Sequence, residues 1–558
     1  MRRLSSIFAF LAIAICAAFP VAATPPYWAE VDALVDNHQP AGEPGISLAI
    51  SVDGEPVYHR WSGQADLERG VAIGKDTRFF IGSTSKQFTA FAVMLLVDEG
   101  RITLDQDIRT IIPELEARDV PVTIRHLLNH TSGLREIGTL FLLAGQTEKT
   151  PTNADQALDM IYRQRGGNFQ AGERQEYSNT GYELLAEIVA RVSGEPFPQF
   201  MQTRIFAPLG MDRTFVRADP NRLIPNAAIS YEPNGEGFAH AHILAASFGS
   251  TGIVSDPVDL LRWGHALNMG QFGGTAISAL MDRRSTLPDG SRLIGTNGQE
   301  YRSWRGLDTW SHGGSTGGFR TFLLRIPEAR TVIAVAGNRS DFLKAAFAFD
   351  VAEKVLVDRL DPEPSSDFIP ATHEQLDSYA GDYRLFAGVV FSLRRDGDAL
   401  MFSTFGQEGA FALPQIGDAE FMLNPARDLR LVFKDFKAGQ ASRMRWTVSA
   451  DGYIPAPRVE MEPVPQGPID TGALAGTYYS DTLQQALTIY ELDGKLWART
   501  GDALRTSLER YQPDTFRPAG EFAIQRIRFE RAPDGPVETA LISTSLADNI
   551  VYRKLDHP

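Results

Sequence analysis

The sequence predicts an α+β protein: an antiparallel sheet with flanking helices and a helical insertion, followed by two small antiparallel β-barrels. Three observations carry this. Strand signals stand near both ends of residues 28–358, with helical segments between them. A polar, proline-rich break follows at Asp361-Pro362-Glu363-Pro364-Ser365-Ser366. Beyond it the chain reads as short strands and turns, and its motifs recur.

The first element is an address. Arg2 and Arg3 precede the apolar stretch from Ile7 to Ala18, which is too short to span a bilayer comfortably, and Val21-Ala22-Ala23 is a small-residue cleavage site. Cleavage after Ala23 is expected, giving a periplasmic or secreted protein; the competing reading is an uncleaved anchor. Cys16, the single cysteine, lies in this segment. Bulky Ile15 before it argues against lipid attachment. No later stretch is long and apolar enough for a transmembrane helix, so no stable membrane insertion is expected after cleavage. The chain has 558 residues, 43% hydrophobic and 22% charged, with net charge −15. That acidity argues against a nucleic-acid partner and against an anionic membrane surface.

In the mixed region, Gly45 to Val52 reads as a strand, Asp53-Gly54 as a hairpin turn, and Val57 to Trp61 as the return. Phe319 to Ile326 and Thr331 to Ala336 form a second hairpin. Helices are expected from Ser85 to Asp98, Tyr182 to Val192 and Pro257 to Asn268. In the tail, Ala380-Gly381-Asp382-Tyr383 is echoed by Ala475-Gly476-Thr477-Tyr478, Asp396-Gly397 by Asp493-Gly494, and Leu431-Val432-Phe433 by Ile527-Arg528-Phe529. The offset is about 95 residues, which suits two copies of one small domain; the competing reading is one β-domain with chance echoes. The expected units are a signal peptide (1–23), a mixed unit (24–360), a linker (361–371) and two barrels (372–464 and 465–558).

Three short motifs carry chemistry. Ser83-Thr84-Ser85-Lys86 opens a helix, so Lys86 sits over Ser83 on one face. A serine hydroxyl needs a base, and a lysine serves only when burial or a neighbouring cation lowers its pKa. The apolar run through Phe88, Phe91, Val93, Met94, Leu95 and Leu96 would supply that burial. The Ser83 N–H, at a helix start, can face an oxyanion. Alone, such a pair is as well read as a surface pair. Tyr177-Ser178-Asn179 offers a phenol for proton relay and an amide for a lysine and a substrate carbonyl, or else a helix-capping turn. His312-Gly313-Gly314-Ser315-Thr316-Gly317-Gly318 offers a glycine-lined strand edge and a second oxyanion N–H, or else a flexible loop. There is no H-E-x-x-H, cysteine cluster or phosphate-binding loop, so neither metal nor cofactor is expected.

Together, Ser83-x-x-Lys86, Tyr177-x-Asn179 and His312-x-Gly314 resemble, in order and spacing, the motifs of class C β-lactamases and S12 serine peptidases. Thr123 to Leu134 and Ser250 to Ser255 also resemble stretches of that family. The resemblance covers residues 28–358 and implies a class C β-lactamase-like fold. It implies that Ser83 is acylated, that Lys86 and Tyr177 share the proton work, and that Asn179 positions substrate. The N–H groups of Ser83 and Ser315 would form the oxyanion hole. His126 and His130 are expected to be structural or capping. A rival stands in Gly313-Gly314-Ser315-Thr316-Gly317, a literal G-x-S-x-G, which would need a helix after Ser315.

Family members that grip a substrate carboxylate usually carry lysine where His312 stands. A largely neutral histidine weakens that grip, although Arg320 could replace the charge. The tail resembles the lipocalin-like barrels of the bacterial D-aminopeptidases, in which a loop of the last barrel reaches the active-site mouth. The resemblance therefore implies an aminopeptidase acting on small peptides or amides with an N-terminal D-residue. A carboxyl-ester hydrolase, a D-alanyl-D-alanine carboxypeptidase and a non-catalytic penicillin-binding scaffold remain the alternatives. The barrels are read as contacts of a homodimer.

Overall fold

A computed structural model describes residues 27–38, 42–362, 369–386, 389–404, 409–424, 429–447, 453–461, 467–500, 504–519, 524–533 and 535–555. The expected signal segment, with Cys16 and Ala23, and most of the proline-rich break lie outside the described residues.

The mixed region is built on a seven-stranded antiparallel sheet. Its order is Gly295–Thr296, Gln299–Trp304, Leu307–Thr316, Phe319–Ile326, Thr331–Gly337, Ile46–Val52 and Glu55–Ser62. Ile46 pairs with Gly337 and Ser51 with Val332, so strands from the two ends of the region lie side by side within the sheet. Both faces of the central strands are buried, and the period of two divides them cleanly. Leu48 and Ile50 pack with Val35, Phe347 and Val351 from helices Tyr27–Asn37 and Lys344–Val355. Ala49, Leu323 and Ala334 face the larger core with Phe88 and Trp263.

The expected helices occur as Lys86–Asp98, Asn179–Ser193 and Pro257–Met269. The second starts three residues earlier than the apolar pattern suggested, because Ser178 caps it by accepting from Gly181 N. Asn179 is therefore the first helical residue and not the cap.

The tail forms two separate sheets. In the first, of nine strands, the end strands Phe411–Leu413 and Gln415–Gly417 are consecutive in the chain, so the sheet curls almost into a barrel. The second is a closed barrel of eight strands. The sequence echoes have a common structural meaning. Tyr383 Oη donates to Tyr379 O and Tyr478 Oη to Leu474 O, each back to the short helix before its first strand. Their rings lie 5.6 Å from Phe433 and 5.8 Å from Phe529, respectively.

The second barrel is docked on the mixed region by its 544–549 loop. Glu136 N and Asn168 Nδ2 donate to Leu546 O, and Asp548 N donates to Asn168 Oδ1. The Arg135 guanidinium, buried beneath them, donates to Asp548 O at 3.1 Å and Asn549 O at 3.3 Å. Arg135→Ala leaves those carbonyls without their donor, so a loss of about 2 kcal/mol is expected in urea denaturation. An unchanged midpoint would show that this docking contributes nothing to folding.

Candidate active site

Ser83 lies in a 3-10 turn, Gly82–Ser85, that runs directly into helix Lys86–Asp98. Phe88 and Phe91 root that helix against Trp263, at 4.4 and 5.2 Å between rings. Residues 81–94 are buried apart from Ser83, which keeps partial access. One turn on, fully buried Lys86 directs Nζ at Ser83 Oγ (3.2 Å), Asn179 Oδ1 (2.6 Å) and Ser250 O (2.8 Å). Burial pulls its pKa down to about 7, although Glu183 and Glu136 oppose the shift.

Tyr177 stacks on His130 at 4.7 Å, and Lys86 Nζ lies 4.8 Å from the centre of the phenol ring. Burial holds the Tyr177 hydroxyl protonated by raising its pKa, against the smaller pull of the neighbouring Ser83. His130 Nδ1 accepts from Ser178 N at 3.1 Å, so His130 supports Tyr177 from behind. Burial drives the His130 pKa well below its usual value and keeps the ring neutral. His126 completes a capping box with Thr123. Asn179 donates from Nδ2 to Glu136 Oε1 at 2.7 Å. Glu136 in turn caps helix Ile137–Leu143, accepting from Thr139 N at 2.6 Å.

His312, Gly314 and Ser315 lie on strand Leu307–Thr316. Its outer neighbour pairs only as far as Ser311, opposite Glu300. Residues 312–316 instead face the turn that carries Ser83. The approach is close: a Cβ at Gly314 would fall 1.8 Å from Ile81 O, and one at Gly82 (φ +51°) would fall 2.6 Å from Ser315 N. The backbones of Ser83 and Ser315 are thereby brought side by side. His312 is buried, its Nδ1–H donates to Gly313 O at 2.8 Å, and its pKa falls to about 3 through burial, Lys86 and Lys344. It is neutral.

After Ser315 the chain makes a tight turn into the expected strand Phe319–Ile326, so the geometry of the rival nucleophile elbow is absent. One sequence reading needs correction. Arg320 turns its guanidinium to the carbonyls of Gly317 and Phe319. The cation beside Ser315 is Lys344, whose Nζ donates to Ser315 Oγ.

Ser83, Asn179 and Ser315 line a cavity of about 350 Å3, together with Phe141, Glu148 and Glu183. Lys86, Tyr177 and His312 sit behind it. Among the described residues, none from the tail lines this cavity, in contrast to the loop at the mouth that the D-aminopeptidase resemblance implied. Sequence reasoning missed Glu136, Glu148, Glu183, Ser250 and Lys344. Only Glu183 left a signal, an acid four residues after Asn179 within an apolar helical face. No group of three metal-ligating side chains occurs among the described residues.

The beta-lactamase family profile matches residues 31–354. The chain belongs to the beta-lactamase family. It is 28% identical to a D-aminopeptidase of Gluconobacter oxydans (strain 621H) over 307 residues, 55% of this chain and 58% of that one. It is 27% identical to penicillin-binding protein 4* of Bacillus subtilis (strain 168) over 401 residues, 67% and 86% of the two chains. The D-amino acid amidase of Ochrobactrum anthropi SV3, solved with D-phenylalanine, superposes with TM-score 0.52 at 25% identity, covering 60% of this chain and 99% of that one. The chain thus spans little more than half the length of the D-aminopeptidase it matches.

A lysine that titrates near 7 is a base only when neutral. Ser83-dependent turnover is therefore expected to rise with pH through an inflection near 7, measured as kcat/KM. An inflection near 10.5, the ordinary lysine value, would show that Lys86 is not desolvated in the working enzyme.

Proposed function

We propose that this protein is an exported D-stereospecific aminopeptidase that acts on short peptides or amides through an acyl-enzyme on Ser83. The observation that carries the choice of substrate is Glu148. Its carboxylate shares the Ser83 cavity and sits at the end of the glycine-lined strand, accepting from Thr316 Oγ1 at 3.1 Å and Gly317 N at 2.6 Å. An anion there attracts a substrate ammonium, while neutral His312 offers no charge to a carboxylate.

In this reading Lys86 Nζ takes the Ser83 proton as Oγ attacks the carbonyl carbon. The N–H groups of Ser83 and Ser315 receive the oxyanion. Tyr177 returns the proton to the leaving amine, Lys86 resets through it, and a water then releases the acid. Asn179 holds Lys86 with Oδ1, and its Nδ2 can also reach a substrate carbonyl. The signal at residues 1–23 puts the activity in the periplasm or outside the cell, and the barrels serve self-association.

A second reading has its own support. Lys344 on Ser315 restores a cation near the position of the missing lysine, which favours a carboxypeptidase. The deciding comparison uses mature protein, Ser83→Ala and Glu148→Gln on D-alanine p-nitroanilide, p-nitrophenyl butyrate and a chromogenic cephalosporin. Dominant anilide cleavage, abolished by Ser83→Ala, is expected. Glu148→Gln should raise KM for the anilide about tenfold and leave KM for the ester unchanged, since one partly exposed charge pair is lost. Strong ester turnover without anilide cleavage would overturn the aminopeptidase reading. Release of alanine from an acylated D-Ala-D-Ala peptide, reduced by Lys344→Ala, would establish the second.

A further inference from the structure

The acyl-transfer scheme leaves one buried carboxylate unused. Glu183 lies one helical turn after Asn179, on the same face of helix Asn179–Ser193. It is 4% exposed and lines the cavity that holds Ser83. Ser250 Oγ donates to its Oε1 at 2.6 Å, and the carboxylate lies near enough to the Phe248 N–H for that dipole to favour its charge. Both groups belong to one sharp bend. At its centre Gly249 has φ +108°, and a Cβ there would fall 2.3 Å from Tyr182 O. Thr89 Oγ1 donates to Gly249 O at 2.7 Å. The carbonyl of Ser250 is itself an acceptor for Lys86 Nζ. Glu183 therefore grips the bend that holds the amine.

We propose that Glu183 is a positioning residue for the serine–lysine pair: it clamps the Phe248–Ser250 bend onto Lys86 and opposes the ammonium with a carboxylate. The inference rests on the reading that Ser83 attacks with Lys86 as its base. It gives the active site an acid one hydrogen bond removed from the base, able to set the pH at which the base becomes neutral.

The groups around the pair come from every element packed on it. Glu136 faces it from the cap of helix Ile137–Leu143. Tyr177 and His130 lie against the amine, Tyr182 on the helix of Glu183, and His312 on the strand. Burial keeps both tyrosines protonated and both histidines neutral. Burial also pushes the Glu183 carboxyl up to about 7, beside a lysine brought down to about 7. The two groups accordingly titrate as a pair. A carboxylate favours the ammonium, so its removal moves the acid limb of activity to lower pH.

The test follows the rate at which a fluorescent phosphonate labels Ser83 in the full chain, from pH 5 to 9, which needs no knowledge of the substrate. Glu183→Gln keeps the shape and an oxygen acceptor but removes the charge. Its acid inflection is expected about one pH unit below that of the wild type, with a limb that follows a single proton. Ser250→Ala keeps the charge but loosens the clamp, and a fall of about tenfold in the plateau rate is expected. A Gln profile that superimposes on the wild type, or a Ser250→Ala plateau equal to it, overturns the proposal. Labelling that survives Ser83→Ala fails the underlying reading instead, whatever Glu183 does.

Discussion

Burying the Lys86 amine without an acid in direct contact is the constraint on which the site depends. An ammonium taken out of water costs several kcal/mol unless polar atoms replace its hydration. Here they are three neutral oxygens, Ser83 Oγ, Asn179 Oδ1 and Ser250 O. The two nearby carboxylates are each kept one bond away, Glu136 behind Asn179 and Glu183 behind Ser250. A carboxylate touching Nζ would hold the lysine charged and useless as a base at neutral pH. With none nearby, the lysine would be neutral far below it. The intermediate arrangement gives an amine poised near 7.

That constraint reaches into the backbone. Lys86 can stand over Ser83 only because the 3-10 turn leads straight into a buried helix. The turn in turn presses on strand Leu307–Thr316 so closely that Gly82 and Gly314 have no room for a side chain. The sheet that supplies this strand joins the two ends of the mixed region by pairing between Ile46–Val52 and Thr331–Gly337.

What was legible in the sequence was what local spacing records. The three-residue step from Ser83 to Lys86, the Tyr177-x-Asn179 pair and the glycines around Gly314 are short-range patterns with a direct physical meaning. The period-two burial of Leu48, Ala49 and Ile50 and the tyrosine echoes of the tail are of the same kind. Glu136, Glu148 and Lys344 come to the site from separate stretches of chain, and nothing in their own neighbourhoods marks them; the stretch from Ser250 to Ser255 signals the family but not the role of the Ser250 carbonyl. Arg320 is the cation that sequence proximity to Ser315 offers. Pairing across the hairpin places Arg320 opposite Ser315, yet its guanidinium folds back onto local carbonyls. The start of helix Asn179–Ser193 was misjudged for a related reason: the apolar rhythm begins at Tyr182, whereas the cap is Ser178.

The tail bears on the chemistry from the side opposite the substrate. Leu546 O accepts from Glu136 N, Glu136 accepts from Asn179, and Asn179 accepts from Lys86. A continuous hydrogen-bonded line thus runs from a loop of the last barrel to Lys86, while the cavity itself is walled, among the described residues, by the mixed region. The larger core continues from Phe88 and Trp263 into the barrel interior at Tyr478 and Ile550, whereas the first barrel has a separate core. Such continuity suits a structural support better than a hinged gate, because a gate must open without breaking a core. The wall of the cavity belongs to the mixed region, where Glu148 lines it and Lys344 donates to Ser315, which also lines it.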